Sequence, residues 1–550
     1  MFEVISQYGA VALDYSVISE FAGTPVFDEF TEWIMTSSID VYVSKTFKTL
    51  HYCSVYQTDV KNSDVNIAMK NICSFLLPDH RLHLVQEIET CAFIDKVNAV
   101  PDCVILTTRK GIFTKRLYEK QPELKCVLAI LCSDGIRTFG SVRDLADQLP
   151  LPALSRLAGN NTHIDSSAIA SVMDVVKTAD GSMSFELVKR LSGGAEGMVF
   201  LTDQRNIVAK IYHKGVITPL RWAKLKKLSE LGINGEGFCL PRQLLYFQNV
   251  PVGYTMTLGR GVTLGNVFDG PDALLEQFPK WTRLDVVDTL LSLIEKYLYL
   301  HMHDVIAGDI QLKNALIYSS SSVYLIDMDS VQISNLPCPV GTEEFTDPRL
   351  WGRNFSGFVR TLGDEDYSIA MLVFSVLFCG LHPYATRRGA ETLREEIINR
   401  NFPYTLDNSE EEHIPLGGYN QIWRFLPESI RVMLYETFRN GKVYEAIEWL
   451  DAVLSYKEQL MGQKIDSPEA YKVFPLSDYD QASVVLTAAQ TAGSGSYEPL
   501  KPRYVKKTFT NAPSGKYVPK DFRPQDNEEQ KNAVTDVENT SKKGKFLGLF

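Results

Sequence analysis

The sequence predicts an α+β protein in which a small α/β domain precedes a larger domain built of strands first and helices afterwards. In residues 1–150, short apolar runs alternate with amphipathic stretches, a pattern typical of a sheet packed against helices. From Phe185 onward, closely spaced strand-like segments come first and long helical segments follow. After about residue 465 the helical signal fades, and 491–540 is rich in Gly, Ser, Pro, Asn, Lys and Glu. That composition predicts a largely disordered tail over 466–550.

Four apolar runs mark the expected strands of the N-terminal domain, at residues 11–13, 41–43, 103–106 and 127–131. Residues 151–182 carry turn signals and little periodicity, so we predict a linker between a domain at 1–150 and the larger domain at 183–465. Helices are predicted at 221–231, 283–303 and 366–380. The last of these is apolar nearly all round, which indicates a helix buried inside its domain. The tail closes on lysines followed by Phe and Leu, at 542–550.

Composition and charge narrow the class of protein. The chain has 550 residues, a formal net charge of −11 and nine cysteines. The cysteines are scattered singly, with no pair at metal-ligand spacing, so we expect reduced thiols and a cytoplasmic location. The negative charge disfavours nucleic acid as a partner. No apolar run approaches the roughly 20 residues that cross a bilayer, so no membrane association is predicted.

Two features of the strand-rich region indicate a phosphate site. The segment LSGGAEGMVF, residues 191–200, places Gly194 and Gly197 three residues apart between strand-like flanks. Glycine lets backbone N–H groups approach phosphate oxygens, although alone such a hairpin is more often only a tight turn. Lys210 follows in the apolar run 207–212, where a lysine is costly to bury unless an anion receives it. Together the hairpin and the lysine favour phosphate binding.

A set of oxygen-bearing side chains follows the long predicted helix. Asp309 and Asn314 lie five residues apart in the loop before a strand at 315–318, and the strand at 323–326 leads into Asp327. Carboxylate and amide oxygens at strand ends suit a hard cation such as Mg²⁺ bound together with nucleotide phosphates. A further carboxylate can orient an attacking hydroxyl. Solvated loop acids explain any one of these residues, but they explain the ordered set poorly.

In order and separation, these motifs resemble those of the protein-kinase superfamily over about half of the chain. The resemblance implies a two-lobed domain that binds ATP and Mg²⁺, with Asp309 as the catalytic aspartate and Lys210 on the α- and β-phosphates. It implies that Asn314 and Asp327 bind the metal and that Asp366 supports the catalytic loop from beneath. The ATP-binding positions it implies are Ser192, Gly193, Gly194, Gly197, Val199, Lys210 and Met256.

Several positions depart from the usual kinase pattern. Gly308 replaces the catalytic-loop arginine, which removes the charge that commonly captures a phosphorylated activation segment. Gln311 replaces a lysine of that loop, and Lys313 is the candidate to substitute for it. The metal motif reads Asp327-Met328-Asp329, with Asp329 as an extra supporting acid in place of glycine. Arg349 replaces the glutamate that usually ends the activation segment.

The glutamate that should pair with Lys210 is not evident, and the candidates are Glu230 and Glu236. Because the loop arginine is absent and Asp329 and Arg349 occupy unusual places, we expect control by flanking domains or partners. Phosphorylation of Thr342 or Thr346 in the activation segment is the alternative route of control.

The phrases around the catalytic loop, the metal motif and residues 339–348 are similar to those of a bacterial Ser/Thr kinase subgroup. That similarity implies an active kinase of stress or defence signalling. It also implies two partners, a metal-dependent phosphatase and a von Willebrand-A-type protein. The threonine-containing segment 327–350 ends in a proline-anchored turn and favours protein substrates over small molecules.

The N-terminal domain faintly resembles a degenerate PIN-type nuclease. Asp14 closes its first apolar strand, and Asp64 and Asp95 are further candidate acids. Arg109 or Lys110 occupies the late position that should be acidic and would repel a metal. A regulatory, non-catalytic module is therefore favoured.

Three hypotheses follow for the function of the whole chain. The first is an ATP- and Mg²⁺-dependent Ser/Thr protein kinase. The second is a nucleotide-binding pseudokinase scaffold, and the third is a nuclease effector in the N-terminal domain under kinase control.

Overall fold

The computed structural model describes residues 1–51, 60–160, 162–164, 169–233, 236–387 and 392–475. All of these lie in one unit, Met1–Asp480. The tail motif at 542–550, and almost all of the tail expected at 466–550, lie outside the described residues.

The N-terminal domain is built on a six-stranded sheet in the order β3-β2-β1-β4-β5-β6. The first five strands are parallel, and β6 returns antiparallel to β5. Every residue of the strand Cys103–Thr108 is buried, as expected for a parallel strand covered on both faces. The four strands predicted from apolar runs are confirmed. The six strands are β1 Ala10–Leu13, β2 Asp40–Ser44, β3 Leu82–Val85, β4 Cys103–Thr108, β5 Val127–Cys132 and β6 Gly135–Phe139.

Helices flank this sheet on both faces. They are α1 Tyr15–Phe21, α2 Pro25–Thr36, α3 Thr46–His51, α4 Val60–Leu76, α5 Thr90–Val97, α6 Ile112–Lys120 and α7 Val142–Gln148. Strand order reverses between β1 and β4, so the carboxyl ends of these two strands form the topological switch point of the sheet.

A closed antiparallel barrel follows, in the order β10-β12-β11-β7-β8-β9. Its core is formed by inward-facing side chains such as Phe185, Phe200 and Ile211. The first barrel strand lies inside the segment 151–182 that was predicted to be a linker. The strands are β7 Val175–Lys177, β8 Ser184–Gly193, β9 Gly197–Thr202, β10 Ile207–Tyr212, β11 Gln243–Phe247 and β12 Val250–Thr257.

The remaining part is mainly helical, with two small sheets. The three-stranded sheet runs β13-β15-β16 and the two-stranded sheet runs β14-β17. Their bounds are β13 Val262–Thr263, β14 Val305–Ile306, β15 Ala315–Ser319, β16 Ser322–Leu325 and β17 Gln332–Ile333. The helices are α8 Pro219–Glu230, α9 Leu264–Val267, α10 Pro271–Gln277, α11 Arg283–Met302, α12 Leu362–Leu377, α13 Leu393–Ile398, α14 Tyr419–Phe425, α15 Glu428–Tyr435 and α16 Ala446–Met461.

The helix α12 is buried along nearly its whole length, as predicted, but it begins four residues earlier than expected. Thr361 and Asp364 form a capping box: the Thr361 hydroxyl accepts from the Asp364 N–H, and the Asp364 carboxylate accepts from the Thr361 N–H. Reciprocal capping of this kind satisfies orphan donors of the first turn. It places Glu365 and Asp366 inside the helix.

The described chain continues to pack beyond residue 465. Val473 is buried, and its carbonyl oxygen accepts from Arg283 at the start of α11, at 2.5 Å. Residues 466–475 therefore pack against the helical part.

Candidate active site

A cleft of about 380 Å³ lies between the glycine-rich hairpin and the loop after α11. Most of the candidate residues are brought together here. Those that line the cleft are Ser192, Gly193, Gly194, Gly197, Val199, Lys210, Asp309, Asn314, Asp327 and Asp329.

The hairpin between β8 and β9 covers one side of this cleft. The Gly194 N–H donates to the Gly197 carbonyl at 2.9 Å and closes the turn. A Cβ at Gly197 would collide with the carbonyl oxygen of Ile211 on β10, whereas Gly194 faces open space. Gly197 is thus required for packing against the neighbouring strand, and Gly194 leaves the backbone accessible.

The strand β10 carries Lys210 into the cleft, where the side chain is 9% exposed. Its ammonium lies 2.9 Å from both carboxylate oxygens of Asp329 and 3.5 Å from Asp327. Burial alone would lower the pKa of Lys210, but the attraction of Asp329 and then of Asp327 outweighs it and raises that pKa. Lys210 is therefore a charged group inside the cleft.

Asp329 is almost completely buried, with 2% of its surface exposed. Burial favours its neutral form, but the ammonium of Lys210 and the hydroxyl of Tyr212 hold the pKa of Asp329 below its ordinary value. The two glutamates that were candidates to pair with Lys210 do not do so. Glu230 is exposed, and Glu236 accepts from the Tyr324 hydroxyl at 3.1 Å. Neither faces Lys210.

The loop after β14 presents Asp309 with its carboxylate oriented from both sides. One oxygen accepts from the amides of Gln311 and Asn314 at 2.9 and 3.0 Å. The other accepts from the Thr342 hydroxyl at 2.8 Å. Gln311, and not Lys313, is the residue that contacts Asp309. Lys313 is exposed, and its chain packs beside Gly265 because the short turn 312–314 directs it away.

Asp327 and Asn314 are adjacent across a backbone hydrogen bond, in which the Ile326 N–H donates to the Asn314 carbonyl at 2.9 Å. The Asp327 side chain is 63% exposed, and its backbone takes a left-handed φ of 55°, which aspartate tolerates better than most residues. The amide nitrogen of Asn314 donates to Asp309, which leaves its amide oxygen available to coordinate a cation. One carboxylate and one amide oxygen fit Mg²⁺. Within the described ranges, no cluster of three or more His, Cys, Asp or Glu forms a metal site.

The loop that carries Asp309 is supported from beneath by Glu365, and not by Asp366 as the resemblance implied. The Glu365 carboxylate accepts from the N–H groups of Ala307 and Gly308 at 3.0 and 2.6 Å. It also contacts His301 at 2.9 Å. Asp366 instead accepts from the Ala446 N–H and from Arg116. The two acids are neighbours on α12 and point about 100° apart.

The space left by the missing loop arginine is occupied by another arginine. Gly308 has a left-handed φ of 73°, and a Cβ there would collide with the guanidinium of Arg360. Arg360 is 5% exposed and donates to the carbonyl oxygens of Gly308 and Val340, the latter at 2.7 Å. Arg360 therefore connects the catalytic loop to the activation segment through backbone carbonyls.

Met256 does not line the cleft, contrary to expectation. It pairs with Val208 across β12 and β10. Its side chain packs against the cluster of Tyr212, Ile217, Leu225 and Tyr254, on the strand face that also carries Lys210.

The candidate acids of the N-terminal domain do not converge. Asp14 is half-buried at the switch point and accepts from Ser16 and Thr107; desolvation raises its pKa, and these hydrogen bonds only partly oppose the shift. Asp64 lies beside Gly23, and Asp95 is exposed on α5. Arg109 and Lys110 are exposed at the end of β4. Among the described residues, no group of three or more His, Cys, Asp or Glu side chains forms a metal site at this edge of the sheet.

The N-terminal domain instead contacts the helical part through α6. Arg116 is 2% exposed and lies 2.7 Å from Asp366, 3.2 Å from Glu119 and 3.9 Å from Glu445. Glu119 accepts from the N–H groups of Leu362 and Gly363 at the start of α12. Sequence reasoning missed Arg116, because nothing local to it shows that its partners lie 250 and 329 residues away in the chain.

Comparison with known proteins agrees with the geometry of the cleft. No protein-family model matches the chain. It is 26% identical over 328 residues to "Protein kinase YegI" of Escherichia coli strain K12, covering 54% of this chain and 48% of that protein. It is 25% identical over 315 residues to the protein of the same name from Escherichia coli O157:H7, covering 52% and 46%. The chain is similar to bacterial protein kinases.

The resemblance predicted from the motifs is thereby confirmed at the level of a kinase-like protein. The chain spans about half the length of the curated relatives that it matches. Among the helices that the structure describes, none has both the length and the apolar character to span a bilayer.

Proposed function

We propose that the chain is an ATP- and Mg²⁺-dependent Ser/Thr protein kinase with a two-lobed catalytic domain. The observation that carries the proposal is the convergence of Lys210, Asp309, Asn314 and Asp327 on one cleft beneath the glycine-rich hairpin. A nucleotide-binding scaffold needs an anion site, but it has no use for an oriented carboxylate at the place where a hydroxyl would react.

In this proposal, Asp309 accepts the proton of the attacking hydroxyl while the γ-phosphoryl group is transferred to it. Gln311 and Asn314 hold one carboxylate oxygen, so the second oxygen faces the substrate side, where Thr342 contacts it. Lys210 would bind the α- and β-phosphates. Asn314 and Asp327 would hold Mg²⁺, which neutralises charge on the phosphates when bound.

The preference for protein hydroxyls rests on the activation segment. Thr342 fixes this segment beside Asp309, and the turns Glu343–Phe345 and Pro348–Leu350 order it further. An ordered segment at the catalytic carboxylate offers a surface for an extended polypeptide. We also place the protein in the cytoplasm, in bacterial stress or defence signalling. Its proposed partners are a metal-dependent phosphatase and a von Willebrand-A-type protein.

Transfer of label from γ-labelled ATP to the chain itself and to generic acceptor proteins tests the proposal. We expect Asp309→Asn to lower the rate by roughly 100- to 10,000-fold, the usual contribution of a general base. Nucleotide should still raise the melting temperature of that variant. The matched control is Asp95→Asn, which changes an exposed aspartate of the N-terminal domain and should leave the rate unchanged.

Two outcomes would contradict the proposal. If wild type and Asp309→Asn both bind nucleotide and neither transfers label, the pseudokinase scaffold is correct. If wild type does not bind nucleotide at all, both assignments are wrong. Wild-type cleavage of nucleic acid that is lost in Asp14→Asn would restore the nuclease hypothesis.

A further inference from the structure

The usual partner of the strand lysine in a kinase is a glutamate on the helix that follows it. In this protein that helix is α8, and its inward face carries cations. Arg221 donates to Glu196 of the glycine-rich hairpin at 2.6 Å. Lys224 is 2% exposed and donates to the Ser330 carbonyl at 2.9 Å. No acidic side chain of α8 reaches the described part of the cleft.

The carboxylate comes instead from the metal motif. Asp329 binds the Lys210 ammonium through both of its oxygens at 2.9 Å, and the Tyr212 hydroxyl also donates to it. Tyr212 is two residues from Lys210 on β10, so both donors project from the same face of one strand. Three hydrogen bonds to one buried carboxylate fix the lysine in a single position.

We propose that Asp329 is the positioning residue for Lys210, in the role that a helix glutamate holds in other kinases. The inference rests on the proposed function, since it concerns how the same cleft binds ATP. In the usual arrangement the helix after the lysine strand supplies the acid. Here the metal motif supplies the acid, Asp329, and the helix α8 supplies two cations, Arg221 and Lys224.

The exchange has a consequence for regulation. A lysine paired with a helix glutamate loses its partner whenever that helix moves away. Asp329 is two residues from Asp327, so the lysine pair and the metal ligand belong to one segment. Displacement of α8 would break the Arg221–Glu196 and Lys224–Ser330 contacts but would leave the Lys210–Asp329 pair intact. The position of α8 therefore acts on the hairpin and on the backbone at Ser330, beside Asp329, rather than on Lys210 directly.

Steady-state kinetics of the full chain with Asp329→Asn tests this role. Loss of a hydrogen bond to a charged group costs about 1.5–3 kcal/mol, which corresponds to a rise of roughly 10- to 150-fold in the KM for ATP. Tyr212→Phe removes one donor and should raise this KM by a smaller factor while leaving the fold intact. Glu230→Gln, at the exposed end of α8, is the matched control and should behave as wild type.

Dependence on Mg²⁺ concentration separates positioning from metal binding. Asp327→Asn should shift the Mg²⁺ requirement strongly, whereas Asp329→Asn should leave it unchanged at saturating ATP. The proposal is overturned if Asp329→Asn has the same KM for ATP as the wild type. It is also overturned if Asp329→Asn reacts faster than the wild type, because the pair would then restrain Lys210 instead of positioning it. Absence of ATP binding by wild type would instead refute the proposed function.

Discussion

Replacement of Arg116 by methionine should strongly destabilise the contact between the N-terminal domain and the helical part. The Arg116 side chain is 2% exposed and faces Asp366, which is equally buried, together with Glu119 and Glu445. Methionine keeps much of the volume but leaves Asp366 and Glu119 without this cation, whereas Glu445 keeps its contact with Lys120 at 2.5 Å. Removal of one partner of a buried ion pair typically costs about 3–5 kcal/mol.

The pKa of Asp366 indicates how this destabilisation should depend on pH. Burial raises it above the ordinary value, and Arg116 opposes that rise. Without Arg116, the pKa of Asp366 rises further, so the destabilisation should be larger at pH 8 than at pH 5, where protonation relieves the buried charge.

Urea unfolding of wild type and variant at both pH values measures this loss. Arg109→Met, an exposed arginine of the same domain, is the control and should change the free energy of unfolding by less than about 0.5 kcal/mol. Adding Asp366→Asn to Arg116→Met should restore part of the stability, because the unpaired charge is then gone. A loss below about 1 kcal/mol in Arg116→Met would refute the reasoning and show that the network contributes no net stability.

Arg360→Met should lower phosphate transfer and should also lower stability, by at most about 1–3 kcal/mol for each part-buried carbonyl left without a donor. Arg353→Met, at an exposed arginine, should change neither. Arg360 connects the loop that carries Asp309 to the activation segment without a phosphate group, so protein treated with a phosphatase should keep its activity. Mass spectrometry would contradict this if activity were found only in protein phosphorylated at Thr342 or Thr346. Burial lowers the pKa of His382 to about 4. Its folded-state pKa lies below the unfolded value, so stability is complete above pH 6.5 and should fall by about 3 kcal/mol as pH drops through 6.5 to 4. His382→Gln should lack this loss in urea unfolding between pH 7 and 4.

Local patterns in the sequence identified most of the cleft. The sequence was sufficient to recognise the glycines, Lys210 and the acids around Asp309 and Asp327, because these residues lie close together in the chain, on one or two strands and one loop. The strands of the N-terminal sheet were predictable for the same reason, since short apolar runs of β-branched and aliphatic residues mark buried parallel strands. The start of α12 was misplaced because its capping box lies in a polar stretch that carries no apolar signal.

Roles that depend on the direction in which a side chain points could not be predicted from local sequence patterns. Glu365 and Asp366 are consecutive, and only the rotation of α12 against the catalytic loop decides which carboxylate reaches the Ala307 and Gly308 amides. Met256 was assigned to the cleft from its position in a motif. It shares a strand face with Lys210, and only the packing of the folded barrel shows that its side chain contacts the Tyr254 cluster.

The sequence by itself determined which side chains are available for phosphate and metal chemistry and in what order they occur. Tertiary structure decided which of them pair. Asp329 pairs with Lys210 across 119 residues, and Arg116 pairs with Asp366 across 250 residues. Arg360 pairs with the carbonyl oxygens of Gly308 and Val340. The physical reason is that a buried charge takes whichever opposite charge the packing brings within about 3 Å. That distance is set by closure of the barrel and by docking of α6 on α12, which no local pattern encodes.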